Sequence, residues 1–216
     1  MEKEKVVVLN SGGFDSIVLI HHVYTVRKGA EIHSLHFNYG SLNEDQQRKC
    51  VDKVCKKLGA VNKTIDLPKF DWTKSNFYNQ GYDYTSQYLE YRNLVFIAYA
   101  LSYAESIGAK EIFLAIVGIN YENPDYTVYA DANYTFINGI NSFSIANSDI
   151  AIVTPFIDMT KDILFYFAYP YGINKGDFFS CDVPKNGEPC GECPDCEDLK
   201  PYLKILDKKC FKPLEL

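Results

Sequence analysis

No stretch of this chain approaches the roughly 18–20 consecutive apolar residues that a membrane-spanning helix needs, so no membrane partner is expected. The opening MEKEK is mixed in charge and leads straight into an apolar strand. No signal peptide is expected from it, and the cytoplasm is the predicted location. An excess of basic charge is also lacking. There are 22 Lys and Arg against 28 Asp and Glu, a net charge of −6, which argues against stable nucleic-acid binding. The sequence holds no internal repeat and no low-complexity segment. Tyrosine, by contrast, occurs 17 times and offers flat faces for stacking with hydroxyls for hydrogen bonding.

The 216 residues suit one domain with a small appendage, and 47% hydrophobic with 23% charged residues is ordinary for a globular chain. Val6–Leu9 reads as a central parallel strand, apolar on both faces. A helix is predicted from Asp15 to about Arg27, with Ile17, Ile20, His21 and Tyr24 at helical spacing. Glu31–Phe37 is a second strand, Asn43–Leu58 a charged helix and Val61–Leu67 a third strand. Arg92–Ile107 is an apolar helix, Glu111–Val117 a fourth strand, Tyr134–Ser144 a helix, Ala151–Thr154 a short strand and Thr160–Tyr169 a helix. This alternation predicts an α/β fold with a doubly wound, mostly parallel sheet. The aromatic stretch near 68–90 has no clear period and reads as a lid or substrate loop.

Residues 6–16, VVVLNSGGFDS, end a buried strand in a turn with two glycines. Glycines let backbone N–H groups approach an anion and form a concave nest, and the following helix N-terminus adds partial positive charge. Ser11 and Ser16 can donate from their hydroxyls. Asp15 would repel a phosphate directly, and makes sense as a helix N-terminal carboxylate or a ligand of Mg²⁺. The Walker lysine is missing and GxGxxG does not fit. The pattern S-G-G-x-D-S instead resembles the PP-loop of the ATP pyrophosphatases, which split ATP into AMP and pyrophosphate. The resemblance is to a HUP-like, adenine nucleotide alpha hydrolase type of fold.

Cysteine is abundant at seven residues, and four of them, Cys181, Cys190, Cys193 and Cys196, are spaced C-x8-C-x2-C-x2-C. In a cytosolic chain such spacing points to metal, and four thiolates can close a tetrahedron around a structural Zn²⁺. Cys50, Cys55 and Cys210 lack metal spacing and read as ordinary thiols. Residues 1–170 are thus expected to form the nucleotide domain and 171–216 a zinc-binding segment.

Together the loop and the cysteines resemble the 7-cyano-7-deazaguanine synthase (QueC) family. Asn38-Tyr39-Gly40, Arg92-Asn93 with Phe96, Tyr129-x-Asp131 with Phe136, Thr154-Pro155 with Lys161, and Phe179-Ser180-Cys181 match family segments. The resemblance implies ATP contacts from Ser11, Gly12, Gly13, Asp15, Ser16 and Phe37, and substrate contacts from Tyr39, Arg92, Asn93, Tyr129 and Asp131. It implies catalytic roles for Asp15, Arg92 and Lys161, the two cations neutralising phosphates or the substrate carboxylate. The implied chemistry is ATP-dependent carbon–nitrogen ligation. The acid of 7-carboxy-7-deazaguanine is adenylated, ammonia gives the amide, and a second ATP yields the nitrile, with Mg²⁺ bridging phosphate oxygens. The family is often dimeric, so a homodimer is an expectation of the resemblance.

Three departures fall at the substrate end. Glu90 stands where the family has proline, Ser41 where it has glutamine, and Asn133 where it has arginine. A lost guanidinium weakens the hold on a polar acceptor, so a protein or other amine is the alternative nucleophile. tRNA thiolation is a weaker alternative, because it needs a basic surface and a catalytic cysteine pair outside the metal knot. A nucleotide-binding regulator without turnover is the non-enzymatic reading, disfavoured by the intact SGGFDS.

Overall fold

A computed structural model describes residues 3–70, 89–117 and 131–207. Five parallel strands form one sheet in the order β3-β2-β1-β4-β5. They are β1 (Lys5–Leu9), β2 (Glu31–Asn38), β3 (Val61–Asp66), β4 (Glu111–Phe113) and β5 (Ala151–Val153). Among the described residues six α-helices accompany them: α1 (Phe14–Val26), α2 (Glu44–Leu58), α3 (Arg92–Ile107), α4 (Tyr134–Ser148), α5 (Lys161–Ala168) and α6 (Pro194–Asp207).

The strand β1 is central, and its alternation assigns the two layers. Val6 and Val8 point into one core with Phe14, Ile17, Val51, Phe165 and Tyr202, from α1, α2, α5 and α6. Val7 points into the other with Leu35, Ile97, Ala100 and Ile137, from β2, α3 and α4. This is the doubly wound α/β arrangement expected. The chain runs outward from β1 through β2 and β3, then returns to place β4 on the other side of β1. Open α/β sheets bind ligands at such a reversal, beyond the carboxyl ends of the strands.

Several boundaries differ from the sequence reading. β4 stops at Phe113 because its partner β5 has only three paired residues; Leu114 to Val117 continue as cavity wall. α4 runs four residues further, to Ser148, where Asp149 (φ 53°) closes it in the left-handed conformation. Tyr24, expected on the apolar face of α1, is exposed.

The helix α6 has no counterpart in the sequence reading, being hidden by its cysteines and by Pro201 inside it. Its Leu199 and Tyr202 join the same core as β1 and α1. The Tyr202 ring lies 4.6 Å from Phe14 and 5.4 Å from Phe165, and its hydroxyl donates to Ile173 O at 3.0 Å. Truncating such a buried ring costs about 3–5 kcal/mol, so the C-terminal helix is fastened to the layer that carries the glycine turn. The lid expected near 68–90 lies mostly outside the described residues; at its edges Phe70 and Leu89 are buried.

Candidate active site

The turn between β1 and α1 is held by its own side chains. Gly12 N–H donates to Asn10 Oδ1 and Ser16 Oγ, both at 3.1 Å, and Gly13 N–H donates to Ser11 Oγ at 3.2 Å. Ser16 Oγ donates to Gly13 O at 2.9 Å and lies 3.1 Å from Ser11 Oγ. Asn10 Nδ2 donates to Ser34 Oγ at 3.2 Å, tying the turn to β2. Gly12 has φ +84°, and a Cβ there would meet the backbone of Gln47 in α2 at 2.3 Å. Only glycine fits this position, both for its φ and for the close approach of α2.

Beside the turn lies a cavity of about 390 Å³, within the usual range for small-molecule sites. Ser11, Gly13, Asp15 and Ser16 line one end of it together with Lys161. Phe37, Tyr39, Arg92, Asn93 and Phe96 line the other end. The sequence candidates from four separate segments thus meet in one place.

Lys161 opens α5 behind the Thr160 cap, whose hydroxyl accepts from Ile163 N–H at 3.3 Å. Its Nζ donates to both Asp15 carboxylate oxygens, at 2.6 and 2.7 Å. Burial opposes the ammonium charge, but the Asp15 charge and hydrogen bonds outweigh it and raise the Lys161 pKa. Lys161 is therefore held as a cation beside the loop.

At the far end the Phe37 and Phe96 rings stack at 4.5 Å and 2°. Arg92 Nη1 donates to Tyr39 Oη at 3.4 Å, and the guanidinium stands 5.8 Å over the Tyr39 ring. Burial opposes the Arg92 charge, while Tyr39, Asp131 and Asp182 favour it and win. Burial pushes the Tyr39 phenol up. Asp131 does not line the cavity. It is buried, its Oδ2 accepts from Asn93 N–H at 3.0 Å, and its carbonyl accepts from Asn93 Nδ2 at 3.0 Å, so it caps the start of α3. Asn133 caps α4, its side chain accepting from Phe136 N–H at 2.9 Å. Tyr129 lies outside the described residues.

Sequence reasoning gave no site role to Ser180, Asp182, Asp195 and Asp198, all of which line the cavity. They belong to the cysteine segment, where Ser180 stood out only as part of the Phe179-Ser180-Cys181 match and the three aspartates only by closeness to the metal motif. Phe179 N–H donates to Gly12 O at 2.8 Å, Gln47 Nε2 to Phe179 O at 3.2 Å, and Asn43 Nδ2 to Cys181 O at 3.0 Å. These bonds strap the segment onto the glycine turn. Burial first, then the neighbouring Asp182, raises the Asp195 carboxyl well above the usual range.

The four thiols of Cys181, Cys190, Cys193 and Cys196 lie within 4.8 Å of one another, with Sγ–Sγ distances of 3.9 Å (Cys181–Cys193) and 4.0 Å (Cys190–Cys196). A Zn–S bond of about 2.3 Å gives a tetrahedron edge of about 3.8 Å, so the donor set fits one such ion. The close contact of the Cys193 and Cys181 Sγ atoms holds the Cys193 thiol well below the usual range, whereas that same contact and burial push Cys181 up. Four thiolates this close need a cation to be ionised together. Cys50 and Cys55 are buried in α2, away from this group.

The family model described as queuosine biosynthesis protein QueC matches residues 5–203. Among curated relatives, the 7-cyano-7-deazaguanine synthase of Rickettsia bellii (strain OSU 85-389) is 32% identical over 212 residues, covering 89% of this chain and 90% of the relative. The synthase of that name from Methanobrevibacter smithii is 28% identical over 229 residues, covering 97% of both chains. Among solved structures, the U34-tRNA thiolase NcsA of Methanococcus maripaludis, with its [4Fe-4S] cluster, superposes with a TM-score of 0.55 at 12% identity. That match covers 95% of this chain and 65% of the other, and it shows a shared fold.

Proposed function

The chain belongs to the QueC family, and from that premise we propose that it is an ATP-dependent carbon–nitrogen ligase acting on the carboxylate of 7-carboxy-7-deazaguanine. One observation carries the reading: the glycine turn with Lys161 and the Arg92–Tyr39 pair with the Phe37–Phe96 stack face a single cavity.

A carboxylate oxygen is a poor leaving group, and adenylation replaces it with AMP. The turn holds the pyrophosphate portion of ATP. Lys161, exchanging Asp15 for phosphate oxygens, offsets the charge that develops as pyrophosphate departs. Arg92 orients the planar acid against the aromatic wall, by a charge-assisted bond to its carboxylate. Alignment of acid and α-phosphorus supplies much of the remaining acceleration. Ammonia attacks the acyl-adenylate to give the amide, AMP leaving; a second adenylation of the amide oxygen and loss of AMP give the nitrile. Asp15, Asp195 and Asp198 line the cavity and would be the carboxylates available to hold Mg²⁺, which would supply further neutralisation of the phosphate charge. The cysteine group is a structural Zn²⁺ site that fixes α6 and the strap over the turn; the Sγ spacing supports a single ion.

Supplying the acid, ATP and ammonia, with products read by mass spectrometry, tests this. AMP, pyrophosphate and the amide or nitrile are expected, and no AMP release would refute it. A second reading changes only the nucleophile, to a protein amine. It is favoured by Asn133, which caps α4 where the family has an arginine and so offers no guanidinium to the acceptor side. A mass gain on a candidate protein, with no nitrile formed, would establish that reading instead.

A further inference from the structure

The strap residue between the metal ligand Cys181 and the turn is Ser180. Its Oγ accepts from Phe14 N–H, the first amide of α1, at 2.9 Å across 166 residues of sequence. It also faces the turn itself, since a Cβ on Gly13 would meet Ser180 Oγ at 3.5 Å and Ser11 Oγ at 3.3 Å. Ser180 lines the cavity beside Gly13, Asp15 and Lys161. A hydroxyl has one proton to give and two lone pairs to accept with. The Phe14 bond uses a lone pair, and among the described residues no hydrogen bond uses the proton. The amide thus orients a donor at the mouth of the phosphate nest, and polarises it in the direction of donation.

We propose that Ser180 is a nucleotide-binding residue whose hydroxyl donates to an oxygen of the pyrophosphate portion of ATP. The cysteine segment then supplies part of the phosphate site as well as the metal site. This rests on the adenylation reading above. It also gives the strap bonds at Gly12 O, Phe179 O and Cys181 O a purpose, because they hold Ser180 in register with Gly13.

The test uses the full, metal-loaded chain, with Ser180→Ala, Ser180→Gly and Ser180→Thr. ATP and inorganic pyrophosphate are titrated by calorimetry, 7-carboxy-7-deazaguanine is titrated separately, and metal per chain is counted by elemental analysis. A hydrogen bond to a charged oxygen is worth enough that Ser180→Ala and Ser180→Gly should weaken both ATP and pyrophosphate about tenfold or more. Metal content and affinity for the deazaguanine acid should stay at the level of the unaltered chain, and Ser180→Thr, which keeps the hydroxyl, should recover most of the loss. Unchanged pyrophosphate affinity in the two hydroxyl-free variants overturns the proposal. So does a loss of metal that accompanies the loss of affinity, since Ser180 would then act only through the fold. If the unaltered chain binds neither ATP nor pyrophosphate, the adenylation reading fails and this one with it. Normal binding there with unaffected variants refutes Ser180 alone.

Discussion

Gly12→Ala separates two costs that the structure lets one estimate. The first is the left-handed backbone at φ +84°, where an L side chain costs about 1–2 kcal/mol. The second is contact: the new Cβ would lie 2.3 Å from Gln47 O and 2.8 Å from Gln47 C, so α2 or the turn must shift. Overpacking of this kind adds about 1–3 kcal/mol. Together they come to about 2–5 kcal/mol. For a chain this size, each kcal/mol lowers Tm by about 2–4 °C, so a fall of roughly 4–20 °C is expected. Gly29→Ala is the control. Its φ is +86°, but nothing lies within 4 Å of its Cβ, so strain alone remains and the fall is only about 2–8 °C. Thermal unfolding of both variants, with ATP titration of each, reads the difference. Gly12→Ala should unfold lower than Gly29→Ala and bind ATP more weakly. If the two variants unfold within about 2 °C of each other, the turn is not clamped by α2 and the reasoning fails.

Other outcomes follow from the site. Lys161→Met should lower kcat/KM for ATP by about 10²–10³ in a pyrophosphate-release assay while leaving the metal content unchanged; a smaller loss would place Lys161 outside the phosphate end. Elemental analysis should find one zinc per chain and no iron or acid-labile sulfide. Cys193→Ser should lose that metal and lower Tm by at least about 10 °C, because the binding energy of a structural ion is folding energy. Burial first of all holds His21, His22 and His36 below the usual imidazole range. As pH falls below about 6.5 the unfolded chain takes up protons that the folded chain refuses, so stability should drop on acidification. His36→Gln should flatten that drop in Tm measured from about pH 7.5 down to about pH 5.5, and an unchanged slope would show that His36 does not contribute.

The features legible along the chain were local ones. Alternating apolar strands and capped helices set the α/β class, because Val6–Val8 can only be a strand buried on both faces. The glycine turn was legible because its chemistry lies within six consecutive residues, and the cysteine group because its last three ligands fall within seven. Tertiary structure alone decided how these parts meet. The Asp15–Lys161 pair joins residues 146 apart and the Phe14–Ser180 bond residues 166 apart, distances at which sequence spacing carries no geometric information. It also decided that Asp131 spends its carboxylate on capping α3, and that α6 exists at all. That helix is held less by propensity, which cysteines and Pro201 lower, than by the burial of Leu199 and Tyr202 against a core assembled from the other end of the chain.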